Sequence, residues 1–125
     1  MAVLDEAGVD ARIINLETAV TDRGEAWPAK DVHYRMHPEN VEVLVAAGID
    51  CCVLANNHIL DWSYPGLAQT LDSLHDAGIT TAGAGADAHA ARRPAAIETG
   101  VGSRVIVLAV GMESSGIPAQ WAAGR

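Results

Sequence analysis

Phenylalanine is absent from this 125-residue chain, and lysine occurs once, as Lys30, among eight basic residues. With aromatic residues at only 4%, a core has to be built from Val, Ile, Leu and Ala rather than from large rings. Positive charge is scarce as well, because 8 basic residues face 16 acidic ones and leave a formal charge of −8. A surface for nucleic acid or for an anionic membrane needs a positive stripe that displaces counterions, and Arg92 and Arg93 are the only adjacent basic pair, so neither partner is expected. No apolar run approaches the ~20 residues of a membrane span, and no basic-then-apolar leader opens the sequence as written. The expectation is a soluble chain without signal or anchor, its localisation left open. The only cysteines, Cys51 and Cys52, are neighbours that would point to opposite faces of a strand and could hardly bridge each other. Both are expected to be small core residues.

What is present points to one globular domain. Half the residues are apolar and 19% are charged, too hydrophobic a balance for a disordered chain. Arg12 to Leu16, RIINL, reads as a short strand covered on both faces, running into Asn15, Leu16, Glu17 and Thr18. Residues 21–37 lack any period, contain Trp27-Pro28 and end at His37-Pro38, the pattern of a long surface loop. Pro38 suits a first helical turn, with Val41, Leu44 and Val45 at helical spacing before a stop at Gly48. The run CCVLA at 51–55 then predicts a strand parallel to the first, joined by a right-handed crossover. Pro65 to Ala77 carries Leu67, Leu71 and Leu74 on one stripe and predicts a helix that ends at Gly78. A brief strand, a glycine turn and an Ala-rich helical stretch follow. Ala95 to Thr99 and Arg104 to Val110 read as a hairpin about Gly100 and Gly102, and the tail as a loop anchored by Trp121. The alternation predicts an α/β fold, a mostly parallel sheet with flanking helices.

Ligands in such sheets collect beyond the carboxyl ends of the strands. Two predicted strands end in polar clusters, NLET and ANNH, which parallel pairing would bring to one edge. Asn15, Glu17, Asn57 and His58 are therefore candidates for a shared site, with Asn56 beside them and Asp61 behind as an acceptor. An amide oxygen, a carboxylate and an imidazole suit Mg, Mn, Fe or Zn, and the same imidazole could instead give a proton to a phosphate oxygen or leaving group. The competing reading is structural, since Asn and Asp at strand ends commonly bond the next turn or cap a helix.

The string LANNHILDWSYPGLAQTLDSLHDAGITTAGAGADAHAARRP resembles the central block of the CapA family, poly-gamma-glutamate capsule synthesis proteins, with ANNH, Leu-Asp, a Gly-Leu helix, Ala-Gly-Ile and a GAG loop before Pro. INLETAVT resembles that family's NLE segment, and SSGIPAQWAA a feature of some members, so the likeness runs from about Arg12 to Ala123. It implies a bacterial, metallophosphatase-like (calcineurin-like) α/β sandwich, present here in part. In that superfamily a Gly-Asn-His motif supplies a metal ligand and a phosphate contact. Asn57 would be the metal ligand, His58 the catalytic acid or phosphate contact, and Glu17 a metal contact where related enzymes carry Asp. The family is often found on the outer face of a membrane. The first Gly-Asp strand and the C-terminal His motifs have no counterpart in this sequence. The expectation is thus the N-terminal to central part of a CapA-like domain spanning 1–125, with an incomplete site that binds a divalent metal weakly or not at all. Substrates would be a phosphoester or an anionic polymer.

Two alternatives stand beside it. One is a non-catalytic module that folds by pairing its exposed sheet edge with another copy or a different chain. The other is nucleotide binding at GAGADA, Gly83 to Ala88, which satisfies G-x-G-x-x-A but follows a strand of only about four residues and lacks an acidic residue about 20 positions on. His33 and His37 have metal-pair spacing, but Pro38 disfavours a helix there, so both are expected to be loop residues. His75 and His89 are expected to be structural or surface residues. Ser114 and Ser115 lack the glycines of a nucleophile elbow.

Overall fold

The computed structural model describes residues 2–100 and 102–124. Its elements run in order as α1 (Ala2–Glu6), β1 (Ile13–Asn15), β2 (Ala19–Val20), β3 (Arg35–Met36), α2 (Glu42–Ala46), β4 (Cys51–Val53), α3 (Ser63–Asp76), β5 (Thr80–Ala82), α4 (Ala88–Arg92), β6 (Ala95–Thr99) and β7 (Ser103–Val107). One 3-10 turn, Pro38–Val41, leads into α2, and two more, Glu113–Ser115 and Ala119–Trp121, shape the tail.

The central sheet is parallel, in the order β1-β4-β5, with Asn15 opposite Val53 and Val53 opposite Ala82. All three strands therefore finish at the same edge, as the sequence predicts for β1 and β4. One expectation fails: β1 lies at the border of the sheet, and Ile13 is 41% exposed, so it is not covered on both faces. Residues 21–37 form the long connection foreseen, but not a wholly irregular one, because Arg35 and Met36 pair in parallel with Ala19 and Val20. The hairpin β6–β7 forms with Thr99 opposite Ser103. Its second strand ends at Val107, three residues earlier than the sequence suggests.

Helix α3 binds these parts together. Leu67 and Leu74 are buried on its inner stripe with Leu71 packed beside them, and they meet Val20, Leu44, Cys52, Leu54, Ile59, Leu60 and Ile79. Thr70 of the same helix is fully buried and donates to its own Gly66 carbonyl, while its hydroxyl oxygen accepts from the Val20 N–H at 2.9 Å. Gly78 ends the helix at φ +77°, a conformation that disfavours a side chain. A smaller cluster of Cys51, Ala82, Ala95 and Ile97 seats the hairpin on the other face of the sheet. Cys51 and Cys52 are thus free and in two different cores, as strand alternation requires. Among the described residues, no helix is long and apolar enough to cross a membrane.

Candidate functional site at the carboxyl edge of the parallel sheet

β4 ends at Val53, and the chain turns at once. Asn56 sits at that turn, only 6% exposed, and its amide closes it. Nδ2 donates to Asn15 Oδ1 at 3.0 Å and to the Leu16 carbonyl at 2.9 Å, while Oδ1 accepts from the His58 N–H at 3.1 Å. Asn15 Nδ2 in turn donates to Glu17 Oε1 at 2.7 Å. One hydrogen-bonded chain therefore joins 17, 15, 56 and 58 across the strand tips. The structural and functional readings of the Asn pair divide here. Asn56 is committed to bracing two strand ends. Asn57 is half-buried, beside Gly116 of the tail, and its side chain makes no protein hydrogen bond among the described residues.

His58 is nearly buried, at 8% exposure, and two contacts hold its ring. Its Nδ1–H donates to Asp61 Oδ2 at 2.7 Å, three residues on. Because a carboxylate only accepts, the neutral ring is fixed with its lone pair on Nε2. Tyr34 stacks on the ring, centroids 4.2 Å apart and planes 25° apart. Asp61 is fully buried. Its Oδ2 also accepts from the Tyr34 N–H at 2.7 Å, and Lys30 Nζ lies 2.8 Å from Oδ1. That approach to Oδ1 is not aligned for a directed hydrogen bond, so the contact is a charge pairing. Lys30 also donates to the Asn57 carbonyl and stands 5.1 Å from the Trp121 ring. Trp121 packs edge-on against Trp27 at 5.4 Å.

The structure thus places Asn15, Glu17, Asn56, Asn57, His58 and Asp61 at one end of the sheet. They are not equivalent there. Asn15 and Glu17 are exposed, Asn56 and Asp61 are engaged within the protein, and among the described residues His58 Nε2 has no protein partner yet is not sealed off. Lys30 and Tyr34 escape a reading of the sequence, since they arrive from a loop without period. The one hint was that the chain's single lysine lies in its longest irregular stretch.

A divalent cation needs several converging donors. Glu17 has a solvent-facing carboxylate and Asn57 an amide without a protein partner, but among the described residues no three His, Cys, Asp or Glu side chains come together as a metal would require. The residues present do not by themselves fit a complete metal site.

The other candidates resolve as follows. The GAG turn is a packing device: Gly83 has φ +93°, and a Cβ there would fall 2.6 Å from Ala55 Cβ and 2.9 Å from Ala109 Cβ. At Gly85 it would fall 2.5 Å from the Ala91 nitrogen. His33 Nε2 bonds the Trp27 carbonyl, His75 Nε2 the Thr81 hydroxyl, and His37 and His89 are exposed. Beside the site lies an open, mainly apolar cavity of about 620 Å³ between the GAG turn and the tail, lined by Leu54, Leu67, Ile117 and Trp121 among others.

Two curated relatives, each called a probable polyglutamine synthesis accessory protein and drawn from two strains of Mycobacterium tuberculosis, are 52% identical over all 125 residues. The chain spans 33% of the length of each relative. The family model for bacterial capsule synthesis proteins, PGA_cap, matches residues 1–125, and the chain belongs to that family.

Proposed function

We propose that this chain is the N-terminal to central part of a CapA-like domain that serves in making or attaching an anionic capsule polymer of glutamate. The observation that carries the chemical reading is the His58–Asp61 pair at the strand tips, 2.7 Å apart, with Nε2 left without a protein partner among the described residues. A buried carboxylate holding Nδ1 leaves Nε2 to exchange a proton with an incoming oxygen, the arrangement general acid–base catalysis uses. His58 would give a proton to, or hold, a phosphoryl oxygen or leaving group. Asn57 and Glu17 would contribute to a divalent-cation site of the Mn, Fe, Zn or Mg type. Their number supports weak binding in this chain, and no catalytic step is assigned to a cation here.

Calorimetric titration with Mn²⁺ tests the metal reading. Weak heat that disappears in Asn57→Ala supports it; no heat, or heat unchanged by that substitution, removes it. Release of phosphate from a generic phosphoester, compared between the chain and His58→Ala, tests the proton role separately.

A second reading is favoured by one surface. Ile106, Leu108, Val110 and Met112 alternate along β7 and its continuation, and are 56%, 68%, 83% and 68% exposed. Only Ile106 lies within β7, but exposed apolar residues beside a strand edge that is unpaired among the described residues are a template for another chain. The chain would then act as a pairing module. Light scattering decides this: a stable monomer at high concentration, unchanged by Val110→Lys, would end that reading.

A further inference from the structure

The loop of residues 21–37 does more than connect. It delivers one side chain and one backbone N–H, four residues apart, to the same carboxylate: the Lys30 ammonium at Asp61 Oδ1 and the Tyr34 N–H at Oδ2. Tyr34 then lays its ring against the imidazole that this carboxylate orients. β3 fixes its place, because Arg35, the next residue, is registered opposite Ala19. Core packing alone does not require a tyrosine here, since the residue is 49% exposed.

We infer that Tyr34 is a positioning residue for His58: it closes one face of the imidazole and leaves the Nε2 edge as the direction of approach. This rests on the reading of His58 as the reacting group. Nδ1 is occupied by Asp61, and one face is occupied by the Tyr34 ring. A group can exchange a proton with Nε2 only by coming close to the ring plane, where the lone pair points. A phosphoryl or carboxyl oxygen can do so. A flat ring that stacks on the histidine from that side meets Tyr34 instead. The approach left open suits an anionic oxygen donor, and the loop that carries Tyr34 and Lys30 is part of the site.

The test is the rate of His58 acylation by diethyl pyrocarbonate in the full chain, followed by peptide mass spectrometry. Exposed His89 is the internal standard. Tyr34→Ala should raise the His58 rate about fivefold relative to His89, because an imidazole released from the stack can turn its Nε2 towards the reagent; the factor corresponds to losing one aromatic ring contact. Tyr34→Phe keeps the ring and should restore the parent rate. Equal His58 rates in all three proteins would overturn the proposal. So would acceleration in Tyr34→Phe equal to that in Tyr34→Ala, because the ring would then not be the cause. If Tyr34→Ala unfolds, so that all five histidines react alike, Tyr34→Leu takes its place. A rise confined to His58 in that variant supports the role, and no rise refutes it. The readout needs neither metal nor turnover. A flat Mn²⁺ titration would remove the cation reading and leave Tyr34 standing, whereas unchanged acylation would do the reverse.

Discussion

Asp61→Ala is the substitution for which the site geometry predicts the largest effect. The carboxylate is fully buried and meets the His58 Nδ1–H at 2.7 Å, the Tyr34 N–H at 2.7 Å and the Lys30 ammonium at 2.8 Å. A hydrogen bond to a charged group contributes about 1.5–3 kcal/mol, so a simple sum over three partners would exceed what one truncation usually removes. Water entry and relaxation reduce it, and breaking a buried ion pair from one side typically costs about 3–5 kcal/mol. Against a total of about 5–15 kcal/mol for a domain, that is a large share. It corresponds to a fall in Tm of roughly 10–25 °C. Urea unfolding followed by circular dichroism measures it, provided the slope with denaturant is unchanged. Asp61→Asn keeps an acceptor for the Tyr34 N–H but leaves Lys30 without its counter-charge, and should lose about 1.5–3 kcal/mol. The Asp61→Ala, Lys30→Met double variant should be less destabilised than the sum of the singles, because it leaves no uncompensated charge. A loss below about 1 kcal/mol for Asp61→Ala would refute the reasoning, since a fully buried, triply engaged carboxylate cannot be that dispensable.

Two further predictions concern the frame that holds the site. Gly83→Ala forces a side chain into φ +93° and against Ala55 and Ala109; strain and overlap together should cost about 2–5 kcal/mol, and a variant as stable as the parent in urea would contradict the close approach. Burial pushes the Cys52 thiol from its ordinary 9.0 up to about 12, and burial followed by the nearby Asp50 charge raises Cys51 against a hydrogen bond from Thr80. The unfolded chain therefore ionises first. The stability contributed by the neutral thiol is present below pH 9 and is lost as pH rises towards 12. At pH 10.5 the parent should have lost about 2 kcal/mol more than Cys52→Ala relative to pH 8, and an equal loss in both would exclude this cause.

How much was legible beforehand differs from element to element. The stripe Leu67, Leu71, Leu74 gave α3 to within two residues at its start and one at its end, because a 3.6-residue period over 14 positions leaves few other ways to bury it. Parallel β1 and β4 followed from the helical crossover between them, and with them the meeting of NLET and ANNH at one edge. β1 as a border strand was not legible, since apolar residues look alike whether one face or two are covered. The sharpness of the NNH turn also hid the unequal fates of Asn56 and Asn57. Adjacent identical side chains point in different directions, and only the backbone path decides which one braces β1 and which one faces the tail.

By itself the sequence determined the α/β alternation, the edge at which the polar residues gather, the two cysteine cores and the family likeness. All of these follow from local periodicity or from strings of neighbouring residues. Tertiary structure alone decided that Lys30 and Tyr34 join the site, that both meet the Asp61 carboxylate, and that Tyr34 lies on the His58 ring. Those contacts span 24 to 31 positions in the chain. They are set by where a loop without period comes to rest once β3 has paired with β2, a long-range closure that no short pattern encodes.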